Sequence, residues 1–224
     1  FSGSGSSGPI GAWDDLTPSA NEEAHGTAVA GTQDGPVNSS SMANAFIYDL
    51  DLGNVMEGLA LKASYAPSHT TTKVDSSTEY GLSYTSGGLS VNAAMGENND
   101  QISTGTAGSG KIDVSVFYVG YAMDNGLSIG YQINENDSAT ANEDEDFTAV
   151  GISYAVSDDV SISYNISEID FEASTLGDQE AQGISASITN GGLTVSGTYS
   201  TVDNTAGTTT ADNTGYELNI AFAF

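Results

Sequence analysis

The chain has 224 residues, carries a formal net charge of −27, and sets thirty Asp and Glu against three basic residues, Lys62, Lys73 and Lys111. Such a balance cannot neutralise a phosphate backbone, so nucleic acid is excluded as a partner. Cys is absent, which removes a disulfide framework and thiol chemistry together. No apolar run reaches the ~18 residues of a membrane-spanning helix; a transmembrane β-barrel stays open, because its strands show lipid only alternate residues.

The chain opens on Phe1 without a signal peptide, and further sequence is expected upstream. Residues 1–42 give no strand pattern. They include "GPIGAWDDLTPSANEEAHG", with the carboxylates of Asp14, Asp15, Glu22 and Glu23. A stretch of this length without regular structure in a compact domain is functional or disordered.

From residue 43 the sequence repeats one rhythm: an alternating stretch, a tight turn, another alternating stretch, then a long polar loop. Strands are expected at 43–50, 58–66, 77–85, 89–97, 111–122, 127–135, 145–156, 160–169, 180–189, 193–202 and 214–224. The short turns "SGG", "DNG", "SDD" and "NGG" supply residues that tolerate positive φ. The long connections, such as "PSHTTTKVDS" and "ENDSATANEDED", are too polar to pack in a core. Short and long connections alternate strictly, as an up-and-down antiparallel barrel requires and a Greek-key sandwich does not. In an outer-membrane barrel the short turns are periplasmic and the long loops external.

One face of most strands is apolar, as in Leu59, Leu61, Ala63, Tyr65 or Val160, Ile162, Tyr164, Ile166. The alternate face carries Asn92, Ser128, Gln132, Ser161, Ser163, Asn165, Thr194 and Ser196, which suit water rather than a dry core. Lys62 falls on this inward face by parity and is the clear wall cation of the strands. "KIDVSVFYVGYA" (111–122) departs from the pattern, being apolar on both faces beyond Val116, and is expected to touch packed protein as well as lipid. Aromatics cluster near strand ends, among them Tyr65, Tyr80, Tyr84, Phe117, Tyr118, Tyr121, Phe147, Tyr154 and Phe171, as an interfacial girdle would.

The last strand, "NTGYELNIAFAF", places Tyr216, Leu218, Ile220, Phe222 and Phe224 on one face and Glu217 and Asn219 on the other. No catalytic constellation is found: His25 and His69 lie in separate loops, and no phosphate-binding glycine motif links a strand to a helix. The chain is therefore read as no enzyme and as needing no cofactor. Calcium is the one secondary candidate, at acidic loops such as Asp144, Glu145 and Asp146, although their spacing fits no known calcium loop.

"GYELNIAFAF", with Gly215, Tyr216, Phe222 and Phe224, resembles the C-terminal assembly signal of Gram-negative outer-membrane barrels. The hairpin pattern from Met42 to Phe224 is similar to the later strands of general porins, particularly the acidic porins of alphaproteobacteria. The resemblance implies a sixteen-stranded, trimeric, outer-membrane channel of which 43–224 would be the C-terminal strands. It makes residues 43–50 the sixth strand and residues 1–42 the end of the fifth strand and the inward-folded loop, with Asp14, Asp15, Glu22 and Glu23, opposed by Lys62, at the constriction. The missing strands would come from the N-terminal part of the barrel, and lipid would surround it. The family opposes these acids with arginines, and this sequence has none. The expected function is passive diffusion of small hydrophilic solutes and ions; the alternative is a non-channel acidic surface protein, an adhesin or a calcium-binding secreted β-sandwich. The inward face separates the two, since a sandwich would want it apolar.

Overall fold

The computed structural model describes residues 8–13, 16–17, 45–67, 76–98 and 111–223. A short helix α1 (Ile10–Trp13) precedes the strands β1 (Phe46–Asp51), β2 (Leu59–Ala66), β3 (Ser77–Ser86), β4 (Leu89–Asn98), β5 (Ile112–Ala122) and β6 (Leu127–Ser138). They are followed by β7 (Glu145–Ser157), β8 (Val160–Phe171), β9 (Gln179–Asn190), β10 (Leu193–Asp203) and β11 (Asn213–Phe222). All eleven form one antiparallel sheet in chain order, so each hairpin neighbour in sequence is a neighbour in space. The arrangement is that of an up-and-down wall, with β1 and β11 each having one partner among the described strands. Phe224 lies outside the described residues.

Register carries side chains of one kind across the whole wall. Residues paired opposite one another share a face, and the row Tyr216, Tyr199, Ile184, Tyr164, Ile152, Ile129, Tyr121 and Leu89 runs unbroken from β11 to β4. On the opposite face Glu217, Thr198, Ser185, Ser163, Ser153 and Ser128 form an equally continuous polar row. Ser163 and Ser185 are linked hydroxyl to hydroxyl at 2.8 Å. The apolar side chains are exposed in the chain by itself, among them Tyr216, Leu218, Ile220 and Phe222. This outer face is thus apolar and unpacked by protein, whereas the inner face, defined here as the one that carries α1, holds the buried polar residues Asn92, Gln132, Asn134 and Asn165.

The tight turns are fixed by glycine where the backbone demands it. Gly87 and Gly88 both have positive φ, the geometry of a two-residue loop whose twist matches its strands. The Gly88 carbonyl then accepts the N–H of Ala122 at 2.9 Å, and the Gly126 carbonyl does the same for Ala155 at 2.9 Å, so each turn is stitched to the strand beyond it. The turn at Asp158 and Asp159 lacks glycine, and a register shift between Ala155 and Ser157 absorbs the difference.

Two expectations need correction. The strand expected at 127–135 runs on to Ser138 in β6, while β7 starts at Glu145 as expected, because the backbone ladder continues past the apolar rows whatever the side chains are. And Tyr118, Phe147 and Phe171 do not join an outer girdle: all three are on the inner face, where Phe171 packs against a small cluster of Phe147, Ala149 and Ile169. Parity, not proximity to a strand end, decides which side an aromatic serves.

The two faces make unequal demands. A lysine at Ile184, in the middle of the long apolar row, is expected to destabilise the folded protein in lipid by about 2–4 kcal/mol. The same replacement at its neighbour Ser185, which faces inward, should cost far less. Equilibrium denaturant titration of Ile184→Lys and Ser185→Lys in vesicles measures the difference.

Candidate functional site: a segment seated on the inner face

The helix α1 and the residues around it lie across the inner faces of β3, β4 and β5. Ile10 is buried in a cluster with Ala94, Ile112, Val114 and Val116, and Trp13 packs against the cluster's edge. The double-sided hydrophobicity of β5 thereby finds its reason: Phe117 and Tyr121 face outward, while Val114 and Val116 floor the seat of α1. Burial of these side chains favours docking by roughly 25 cal/mol per Å² of apolar surface removed from water.

Two glycines in strand interiors make room. A side chain at Gly81 would run into the Trp13 ring and crowd the Ala93 carbonyl, and one at Gly96 would lie 2.6 Å from the Thr78 carbonyl oxygen, 2.8 Å from Cγ of Glu79 and 2.9 Å from Cδ1 of Ile10. Interior strand glycines of this kind mark close approach of another segment, and they were the sequence signal for the seat. Sequence reasoning missed them, together with Glu79 and the clasping role of Gln132.

Polar groups complete the seat. The N–H of Ile10 donates to Oε2 of Glu79 at 3.4 Å, and Glu79 is only 2% exposed. Gln132, fully buried, accepts the N–H of Leu16 at 2.9 Å and donates to the carbonyl of Trp13 at 3.3 Å. Next to Trp13 opens a cleft of about 450 Å³, lined also by Asp49, Asp51, Ala60, Lys62 and Ser83. Lys62 is on the inner face as expected, but it is paired: its Nζ lies 2.8 Å from Oδ1 of Asp49, the residue directly opposite on β1. Asp14, Asp15, Glu22 and Glu23 lie outside the described residues.

The acidic candidates for calcium do not converge. Asp144 accepts the N–H of Ser138 at 2.7 Å and so caps its own loop, and Glu145 and Asp146, adjacent in β7, point to opposite faces. The exposed carboxylates of Glu168, Asp170 and Asp178 do lie within 4.8 Å of one another, close enough to hold a cation. They belong to a larger outer-face array at one end of the strands, in which Asp113 opposes Asp137, Asp146 opposes Glu135 and Asp170, and Glu180 opposes Glu168 and Asp203. Lys111 bridges Glu97 at 2.9 Å and Asp113 at 3.2 Å, and Glu97 first, then Asp113, hold its ammonium above the ordinary lysine range.

An open antiparallel wall with an apolar outer face and a segment folded onto its polar inner face is the architecture of outer-membrane channel proteins. The sequence profile of the Gram-negative porins matches residues 4–175. The chain belongs to the Gram-negative porin family and is a bacterial outer-membrane protein, a non-catalytic one. Comparison with curated protein sequences finds no match.

Solved structures share the fold at low identity. The anion-selective porin from Comamonas acidovorans aligns with TM-score 0.64 at 15% identity over 80% of this chain and 59% of that one. A mutant of the Rh. blastica porin gives 0.56 at 16% over 95% and 72%. A loop-deletion mutant of OmpT, an outer membrane protein of Vibrio cholerae, gives 0.52 at 18% over 87% and 73%. The chain thus spans about three-fifths of the Comamonas porin's length.

The seat and the acidic array each give a testable outcome. In Gly81→Val the added side chain occupies the place of the Trp13 ring, and because Trp13 is the sole tryptophan of the chain, its emission should move to longer wavelength. In Asp146→Asn two like-charge cross-strand contacts are relieved, and stability at low ionic strength should rise by about 0.2–1 kcal/mol. Added salt should shrink that gain, since exposed charges are screened over about 10 Å at 0.1 M; denaturation at both salt levels measures it.

Proposed function

We propose that the protein is a water-filled porin channel through which small hydrophilic solutes and ions diffuse passively, with residues 1–42 narrowing the lumen and 43–224 forming the C-terminal strands of a sixteen-stranded barrel. The observation that carries the reading is the docking of α1 and Leu16 on the inner face. A β-sandwich would cover that face with a second sheet, whereas here a short segment is fastened over part of it and the rest is lined by Ser, Thr and Asn. The coverage of 71–72% of two porin structures is in keeping with additional strands upstream. An alphaproteobacterial type and a homotrimer are part of the same reading, and Gly215, Tyr216, Phe222 and Phe224 are its assembly signal.

The channel prefers cations. The Comamonas porin is anion-selective, but this chain has no arginine to oppose its carboxylates, and the inner-wall Lys62 is neutralised by Asp49. Fixed negative charge in a narrow lumen raises the local cation concentration. The charges that matter are Asp14, Asp15, Glu22 and Glu23, because charge at a constriction is screened less than charge on a broad outer surface.

Reversal potentials across a salt gradient, recorded from the native full-length porin in planar bilayers, test this. Neutralising Asp14, Asp15, Glu22 and Glu23 together should lower cation preference more than neutralising Asp144, Glu145 and Asp146. An equal or larger shift from the second set, or an anion-selective wild type, would overturn the assignment.

A further inference from the structure

We propose that Gln132 is the clasp that positions the inward segment and so sets the bore of the channel; the proposal rests on the channel reading above. Its amide is fully buried on the inner face of β6. Oε1 accepts the N–H of Leu16 at 2.9 Å, while Nε2 donates to the carbonyl of Trp13 at 3.3 Å and to Oδ1 of Asn134 at 3.0 Å. One side chain therefore grips the segment at two backbone points, and in sequence the residues between those points are Asp14 and Asp15.

The chemistry of the position is narrow. The grip needs one acceptor and two donor directions from a single neutral group, which a primary amide provides. A carboxylate in its place keeps the acceptor and loses both donations; an ammonium keeps donors and loses the acceptor. Asparagine has the right group and is one methylene shorter. A buried amide is also costly unless its hydrogen bonds are made, and this one makes two of them with the segment it holds.

The other contacts do a different task. Ile10 and Trp13 hold the segment to β4 and β5 through apolar burial, which is non-directional and permits sliding. The Glu79 contact to the Ile10 N–H, at 3.4 Å, is longer than either bond from Gln132 to the segment. Adhesion comes from the apolar seat and register from the clasp. Gln132 touches no permeating solute in this account; it is a positioning residue.

The test uses single-channel recording of the native full-length porin, with a deletion of residues 9–17 as the unnarrowed reference. Gln132→Leu and Gln132→Glu should fold as wild type by circular dichroism and heat-modified gel mobility. Time spent outside the main conductance level should rise about five-fold, the change that losing one hydrogen bond makes to an equilibrium. Mean conductance should move toward that of the deletion, and acrylamide quenching of Trp13 should increase. Leu16→Pro removes the donated N–H from the segment side without touching the wall and should reproduce the effect, including where the Gln132 variants do not fold. Wild-type conductance, noise and quenching in Leu16→Pro and in the folded Gln132 variants would overturn the clasp while leaving the channel intact. A deletion that does not enlarge conductance would overturn the narrowing role of the segment and the clasp with it, and a wild type that does not conduct would overturn the channel reading on which both rest.

Discussion

The constraint on which the structure depends is that a backbone in lipid has no water to bond. Each strand must satisfy its N–H and C=O groups on neighbouring strands, and here β2 to β10 do so on both sides. Once the ladder is obligatory, side chains are free to answer to their surroundings two residues at a time. The same strand can give Tyr164 and Ile166 to the outer face and Asn165 and Ser167 to the inner. Neither face could change character without the other, since a slip of one residue exchanges them.

The inner face is where this regularity is locally suspended. On β5 the inward positions Ile112, Val114 and Val116 are apolar, and on β3 and β4 Gly81 and Gly96 have no side chain at all. These departures from the wall pattern complement one another: they supply an apolar floor and the depth to receive Ile10 and Trp13. Around the floor stand buried polar groups, Glu79 and Gln132, that meet the segment's backbone. A wall made only to hold water would have needed none of these features.

Much of the fold was legible because period-two alternation survives in the sequence wherever a face meets lipid. The expected strand at 127–135 became Leu127–Ser138, its first part read correctly and its polar extension missed, since Asn136, Asp137 and Ser138 look like loop residues until the ladder is seen to continue. Parity also placed Lys62 inward, yet nothing local announced Asp49 as its partner, because cross-strand pairing depends on register through the connection at 52–58. The seat was half legible: the anomalous apolarity of β5 signalled packed protein, while the partner, a four-residue helix too short to show periodicity, did not. Gln132 read only as a polar inward residue, because its role depends on what lies over it.

The outer-face carboxylates bear on how the protein rides in its membrane. Apolar rows and the acidic array meet abruptly, with Tyr131 and Val150 on one side of the boundary and Glu135 and Asp146 on the other. Carboxylates opposite carboxylates resist entry into hydrocarbon together, so the array acts as a float line that opposes deeper immersion of that end of the strands. A segment fastened to that sheet is carried at whatever level the float line permits.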